Sequence, residues 1–184
     1  MIYTIQNQHL TVQIEDLGAQ LASIQDARGR EFLWQGSPES WNRRAPILFP
    51  IIGRLKDSTY QLDGVSYKMP NHGFARDLVF EAVSQSGQAL SLRLDSSEET
   101  RKVYPFDFSL TVTYTLEENR LIKSHEVENK SDREMLYELG AHDCFRAAVS
   151  QDAIQVEGME TVRLYGMDQD NLLTHPDREV SARL

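Results

Sequence analysis

The sequence predicts an all-β fold, more specifically an antiparallel β-sandwich, and three observations support this. Along residues 110–116 apolar side chains alternate with threonines, as in a strand with one buried face. Asp63-Gly64 separates two further segments of this kind, and this dipeptide favours the tight turn of a hairpin. Helical signals are few, so the strands do not alternate with helices as they do in parallel folds.

The other strands follow from the same period-two pattern. We predict strands at residues 3–6, 10–14, 20–24, 31–34, 59–62, 65–69, 90–94, 110–116, 121–128, 135–139 and 154–156. Two short helical connectors are also predicted. Ser37-Pro38 favours a single turn through Trp41, and Ser96 with Glu99 forms a capping box for residues 97–103.

Length and charge restrict the class of protein. A chain of 184 residues buries roughly 70% of its unfolded surface in one core, so we expect a single domain over residues 1–184. Lys and Arg number 19 against 28 Asp and Glu, which gives a net charge of -9. This charge repels phosphate backbones and anionic membranes, so neither nucleic acid nor a membrane is an expected partner. It favours a neutral ligand.

Cysteine content and hydropathy indicate a cytoplasmic protein. Cys144 is the only cysteine, which rules out an intrachain disulfide and a multi-cysteine zinc site. The N-terminal residues have neither a basic start nor a long apolar run, and no segment approaches the ~20 apolar residues of a membrane span. The expected location is therefore the cytoplasm.

Three segments interrupt the strand pattern, and each carries a residue that could bind a ligand or move a proton. In residues 43–54, an apolar run bounded by prolines leads to Arg54 directly after Gly53. From the residues alone, an ion pair of Arg54 with Asp57 is the favoured interpretation. Residues 69–77 are rich in turn formers, so His72 should lie in a loop, either in a site or bonded to nearby backbone.

The third segment, residues 139–145, places small residues beside His142. Small side chains allow a ligand to approach the backbone next to a titratable imidazole. The alternative is a local pairing of His142 with Asp143. The sequence contains no Gly-rich phosphate loop, HExxH or GxSxG motif, so neither a metal nor a cofactor is expected.

At these segments the sequence resembles the aldose 1-epimerase family, and most closely its LacX-type branch. Five motifs carry the resemblance, in order along nearly the whole chain: FLWQG at 32–36 with Trp41, RAPILFPIIGR at 44–54, NHGFAR at 71–76, VYPFDF at 103–108 and GAHD at 140–143. The resemblance implies a large twisted antiparallel β-sandwich of the galactose mutarotase type. It also implies an isomerase of carbohydrate metabolism that interconverts the α and β anomers of a hexose without a cofactor.

The resemblance also implies roles for individual residues. His142 would be the general acid toward the ring oxygen, His72 would assist at that oxygen, and Arg54 and Asn71 would hold sugar hydroxyls. Opening a hemiacetal ring requires a proton at the ring oxygen, which an imidazole that titrates near neutrality can deliver. Where many family members have proline after the second histidine, this chain has Asp143, whose carboxylate would keep His142 protonated.

The family's general base is a glutamate from a C-terminal portion that lies beyond Leu184, so no carboxylate of this chain inherits that role by motif. Three interpretations follow: a truncated product, a site completed by a second chain, or sugar binding without efficient turnover. A sandwich that is incomplete at its C-terminal end exposes strand edges, which predicts self-association. The alternative function is a non-catalytic carbohydrate-binding protein on the same fold.

Overall fold

The computed structural model describes residues 1–147, 158, 160–170 and 172–181, and its backbone is mostly strand. The strands are β1 (Ile2–Gln6), β2 (Leu10–Glu15), β3 (Leu21–Asp26), β4 (Ile47–Leu48), β5 (Thr59–Leu62), β6 (Val65–Lys68), β7 (Glu81–Gln85), β8 (Ala89–Asp95), β9 (Phe108–Glu117), β10 (Arg120–Asn129), β11 (Gly140–Ala141), β12 (Thr161–Met167) and β13 (Leu173–Ser181). The α-helix α1 spans Glu98–Val103, and single 3₁₀ turns span Lys56–Ser58 and Ala75–Asp77.

The strands form open antiparallel sheets, which confirms the predicted all-β class. One sheet has the order β1-β2-β3 and another the order β10-β9-β8-β7. Three two-stranded ribbons join β4 to β11, β5 to β6 and β12 to β13. The predicted hairpins at Asp63-Gly64 and between β9 and β10 are both present.

One core joins the two larger sheets. Along β8 and β9 every second side chain is buried, as the period-two pattern predicts. Their apolar residues pack in one cluster with those of β1 and β2, including Ile5 and Ile14. Tyr114 of β9 is fully buried and its hydroxyl donates to the Ala19 carbonyl at 2.7 Å. Each large apolar side chain buried in this core contributes about 1.5–3 kcal/mol.

Several predicted elements differ from the structure. Residues 31–34 form only isolated bridges, since Leu33 pairs with Phe145 outside any strand. The segment 135–139 is not a strand, and pairing begins at Gly140. Residues 38–40 form a turn rather than a helix. The predicted strand 154–156 lies outside the described residues.

The helix cap and a few strands were also missed. The N-cap of α1 is Ser97, which exchanges hydrogen bonds with Thr100 in the capping box, so the predicted Ser96 and Glu99 pair is wrong by one residue. The short strands β4 and β11 and the longer strands β7, β12 and β13 were not predicted. In β7 most side chains are exposed, and a strand without a buried face lacks the alternating signal.

A close backbone contact determines where the second predicted segment lies. The Phe49 carbonyl accepts hydrogen bonds from the backbone N–H groups of Phe74 and Ala75, at 3.0 and 3.2 Å. Gly73 bridges Phe49 as in a parallel ladder. A Cβ atom on Gly73 would lie 2.0 Å from the Phe49 oxygen, and the φ of Gly73 is +70°. Only glycine fits this contact.

We therefore expect Gly73→Ala to lower the free energy of unfolding by about 3 kcal/mol or more, because it combines left-handed strain with steric overlap. Urea unfolding monitored by tryptophan fluorescence measures the loss. Gly64→Ala is the matched control, because its φ is +78° and nothing lies within 4 Å of the added Cβ. It should lose only about 1 kcal/mol. Equal losses in the two variants would rule out the Phe49 contact as the constraint.

Candidate active site

The predicted segments meet on one side of the short β4–β11 ribbon. Residues 45–50 are buried, as the apolar run predicts. β11 pairs with β4 through Gly140 with Leu48 and Ala141 with Ile47. The next residue, His142, donates its backbone N–H to the Pro46 carbonyl at 3.0 Å. The ribbon therefore places an exposed His142 at the end of β11.

His72 lies in a strained turn. The Gly73 N–H donates to the Pro70 carbonyl at 3.0 Å, which closes a four-residue turn with His72 at its third position. There the φ of His72 is +63°, a value that type II turns require and that glycine or asparagine usually supplies. Holding another residue in this conformation costs about 1–3 kcal/mol, and such strain is concentrated at functional sites.

Gly53 holds His72 through two hydrogen bonds. The His72 N–H donates to the Gly53 carbonyl at 2.8 Å, and the Gly53 N–H donates to Nδ1 of the imidazole at 2.9 Å. Because Nδ1 accepts a hydrogen bond, the neutral ring carries its proton on Nε2. His72 therefore has a hydrogen-bond donor, Nε2–H, that Gly53 does not use.

The structure brings the two predicted histidines together. The ring centroids of His72 and His142 are 6.3 Å apart, and their planes are at 75°. Trp41 packs beside His142 with a centroid distance of 4.8 Å. Its backbone carbonyl accepts a hydrogen bond from the Trp34 indole at 2.9 Å. Trp41 was part of a predicted motif but not of the predicted site, because its distance from His142 in sequence hides the contact.

Two arginines near His72 were also missed. Burial lowers the pKa of His72, and the positive charges of Arg76, His142 and Arg43 lower it further. Arg76 donates to the Asn71 carbonyl at 2.7 Å, while Arg43 contacts Asp77 at 2.7 Å. Arg76 closes the predicted motif at residues 71–76, which was the available signal for it.

The two arginines also act on each other. Burial lowers the pKa of the Arg76 guanidinium and the charge of Arg43 lowers it further, while Asp77 opposes both effects. Asp77 lies 3.5 Å from Arg76 Nε and 2.7 Å from Arg43. Among the described residues, one carboxylate thus contacts two guanidinium groups, so positive charge is in local excess beside His72.

Arg54 and Asn71 lie at the edge of this arrangement. Arg54 is exposed and its guanidinium donates to the Asp170 carbonyl at 3.5 Å. It lines a separate hollow of about 210 Å³ together with Lys56 and Asp57. Within the described part of the chain, Arg54 forms no ion pair with Asp57. The Asn71 side chain is exposed, next to His72 in the turn.

Asp143 has a different environment from its neighbour His142. Its carboxylate accepts two hydrogen bonds from Lys123 Nζ, at 2.9 and 3.3 Å. The pair lies in a largely apolar groove with Leu121 and Phe145. The alternative interpretation of this segment, a local pairing of His142 with Asp143, is therefore wrong within the described structure, where Asp143 pairs with Lys123.

The described residues contain no group of three or more His, Cys, Asp or Glu side chains arranged to hold a metal ion. Among these residues there is also no helix long and apolar enough to cross a membrane.

We predict that His72 titrates below its ordinary value of 6.5. Since the pKa of the folded state lies below that of the unfolded state, the stability gained from neutral His72 is complete above pH 6.5. It is lost as the pH falls through the lowered pKa. Arg43→Gln should raise the pKa of His72 by removing one positive charge. NMR titration of the imidazoles measures both effects, with Arg120→Gln on β10 as the control. Titration of His72 above pH 6.5 would contradict the prediction.

The sequence of this chain is similar to those of several known proteins. Residues 1–180 match the family model described as aldose 1-epimerase. The plasmid-encoded protein LacX of Lactococcus lactis is 35% identical over 156 residues, which cover 79% of this chain and 50% of LacX. A protein of Escherichia coli, provisionally named a glucose-6-phosphate 1-epimerase, is 26% identical over 88% of this chain and 55% of its own length. The chain thus spans about half the length of these curated relatives.

A solved structure supports the same assignment at the level of the fold. The galactose mutarotase related enzyme of Lactobacillus acidophilus superposes with a TM-score of 0.87 and 37% identity, over 98% of this chain and 62% of that one. Since the family match extends over almost all residues and the fold agrees, the chain belongs to the aldose 1-epimerase family.

Proposed function

We propose that this chain binds an aldose and interconverts its α and β anomers by general acid and base catalysis. The observation that supports this best is that the ring centroids of His72 and His142 lie 6.3 Å apart, while Nε2–H of His72 has no hydrogen-bond partner among the described residues. Two imidazoles this close can both contact one bound sugar, since a ring nitrogen hydrogen-bonds an oxygen at about 2.7–3.2 Å. The ring oxygen of a pyranose is the oxygen that must be protonated.

The two histidines take different roles in this proposal. His142 is the general acid that protonates the ring oxygen as the C1–O5 bond breaks, while the anomeric hydroxyl loses its proton to a base. His72, neutral because burial and nearby charges lower its pKa, donates a hydrogen bond to the same oxygen through Nε2. Trp41, beside His142, offers an aromatic surface to the apolar face of the sugar.

A second function, sugar binding without turnover, is favoured by one observation. Among the described residues, no carboxylate hydrogen-bonds to either imidazole, and the resemblance assigns the base to a glutamate outside this chain's motifs. Without a base, the anomeric proton leaves only to water, and ring opening is slow. The two functions share a site and differ in rate alone.

Polarimetry of freshly dissolved α-glucose and α-galactose tests the first function. We expect the chain to accelerate mutarotation and His142→Ala to reduce this acceleration by about 10²-fold or more, which is typical of losing a general acid. His72→Ala should reduce it by about 10-fold. His9→Ala is the matched control, because His9 is exposed and its ring contacts only Gln8 in the described structure.

Sugar binding measured by NMR on the same variants separates the alternatives. Binding that is lost in His142→Ala, without any acceleration by the unsubstituted chain, would support the non-catalytic function. If the chain neither binds sugar nor accelerates mutarotation, both proposals are wrong.

Electrostatics favour a phosphorylated sugar as the form of the substrate. Although the whole chain is acidic, Arg43 and Arg76 lie close enough to His72 to lower its pKa, with Asp77 the carboxylate that contacts both. A sugar phosphate would bring the additional negative charge that this arrangement lacks. The provisional name of the Escherichia coli relative, a glucose-6-phosphate 1-epimerase, points to the same class of substrate.

We therefore expect glucose 6-phosphate to bind more tightly than glucose, by about 10-fold or more if one charge-assisted contact is gained. Arg43→Gln should remove most of this preference and leave glucose binding almost unchanged. Competition binding with both sugars measures the ratio, and Arg120→Gln again serves as the control. Equal affinities for the two sugars would show that Arg43 and Arg76 do not bind the phosphate group.

A further inference from the structure

Glu138 connects the segment that carries His142 to the loop that holds His72. Glu138 precedes His142 by four residues in the sequence. Its backbone N–H donates to the Pro50 carbonyl at 2.9 Å, which places Glu138 beside the loop 50–54. Its carboxylate then accepts the Ile52 N–H at 2.8 Å. The Glu138 side chain is thus a hydrogen-bonded bridge between two segments that are far apart in sequence.

The residue that Glu138 binds, Ile52, directly precedes Gly53, whose N–H donates to Nδ1 of His72. Ile52 N–H binds Glu138, and the next backbone donor, Gly53 N–H, binds Nδ1 of His72. The direction of the Gly53 N–H is set by the plane of the Ile52–Gly53 peptide, because peptide groups are planar. Anything that holds Ile52 therefore restricts the hydrogen bond to His72.

Besides Glu138 and the His72 imidazole, the contacts of this segment in the described structure are the His72 N–H bond to the Gly53 carbonyl at 2.8 Å and the packing of the Ile52 side chain beside Gly140. Gly53 has a φ of +80° and no atom within 4 Å of where its Cβ would be. Ile52 is 44% exposed, and Arg54 is exposed as well. A loop of this kind, with a glycine and exposed neighbours, has many accessible conformations unless its backbone donors are held.

We propose that Glu138 is a positioning residue: by accepting the Ile52 N–H, its carboxylate directs the neighbouring Gly53 N–H at Nδ1 and so selects the Nε2-protonated tautomer of His72. The effect on the tautomer is independent of any reaction. Its consequence for the rate rests on the proposed function, because only a donor at Nε2 can hydrogen-bond the ring oxygen as described above.

The tautomer is measured directly in the sugar-free protein. Two-bond ¹H–¹⁵N correlations of the imidazoles distinguish Nε2–H, Nδ1–H and imidazolium forms, above the pH range in which His72 titrates. In the unsubstituted chain we expect Nδ1 of His72 to show the shift of an unprotonated nitrogen. In Glu138→Ala the Nδ1-protonated form should rise several-fold, and the Gly53 amide resonance should move with it.

Two further variants separate positioning from general loss of stability. Glu138→Gln keeps an acceptor oxygen at the same position, so it should largely restore the tautomer found in the unsubstituted chain. Glu134→Ala removes an exposed glutamate of the same segment, for which the described structure shows no hydrogen bond or ion pair, and should leave His72 unchanged. Urea unfolding confirms that each variant is folded under the NMR conditions.

Mutarotation kinetics provide the second readout. Glu138→Ala should lower kcat by about 10-fold with a smaller change in KM, since a misdirected donor weakens the transition state more than it weakens binding. Glu138→Gln should recover most of the rate. If the unsubstituted chain does not accelerate mutarotation, the proposed function fails, and the NMR result alone decides the role of Glu138.

The NMR experiment can overturn the proposal in two ways. One is a His72 tautomer that is the same in folded Glu138→Ala as in the unsubstituted chain. The other is an equal shift in Glu138→Ala and Glu138→Gln, because an acceptor oxygen would then not be the cause.

Discussion

The contact between Gly73 and the Phe49 carbonyl is the constraint on which the rest of the candidate site depends. Two N–H groups, from Phe74 and Ala75, converge on that single oxygen, and the space beside it admits a hydrogen atom but no Cβ. This anchors the turn that begins at Pro70 against the buried run of residues 45–50. Since that run also pairs with β11 through β4, the same strand segment positions both histidines. His72 and His142 are therefore held relative to one another by the backbone, and the strain at His72 is supported by contacts on both sides.

The polar side chains of His142 and Asp143 lie in different environments on the two sides of this ribbon. On one side His142 contacts Trp41 and His72 in a setting of excess positive charge. Asp143, the next residue, pairs with Lys123 in an apolar groove. Successive residues of an extended chain point to opposite faces, so adjacency in sequence does not bring their side chains together. A charge of -9 over the whole chain likewise says little about the potential at the site, where two guanidinium groups outnumber their carboxylate partner.

Features that depend on neighbouring residues in the chain could be predicted from the sequence, whereas features that depend on distant contacts could not. Period-two patterning depends on neighbours in the chain, and it located β8, β9 and the Asp63-Gly64 hairpin. It failed at residues 135–139, which form no strand and of which only Met135 is buried. It also missed β7, whose mostly exposed side chains give no alternating pattern. The helix cap was misplaced by one residue, since Ser96 and Ser97 are both good caps and the position of Asp107, which contacts Ser96 at 3.1 Å, decides between them.

By itself, the sequence determined the all-β class, the family, and the two histidines that the structure brings together, because strand periodicity and motif order are properties of the linear chain. Only the tertiary structure decided which side chains share a site. In the structure Trp41, Arg43 and Arg76 lie near the histidines. Asp143 pairs with Lys123 rather than with His142, and Arg54 donates to the Asp170 carbonyl rather than pairing with Asp57. Glu138 contacts the loop that holds His72. The physical reason is that most of these contacts join residues far apart in sequence, and their geometry is set by how β4, β11 and the turn at residues 70–73 pack together.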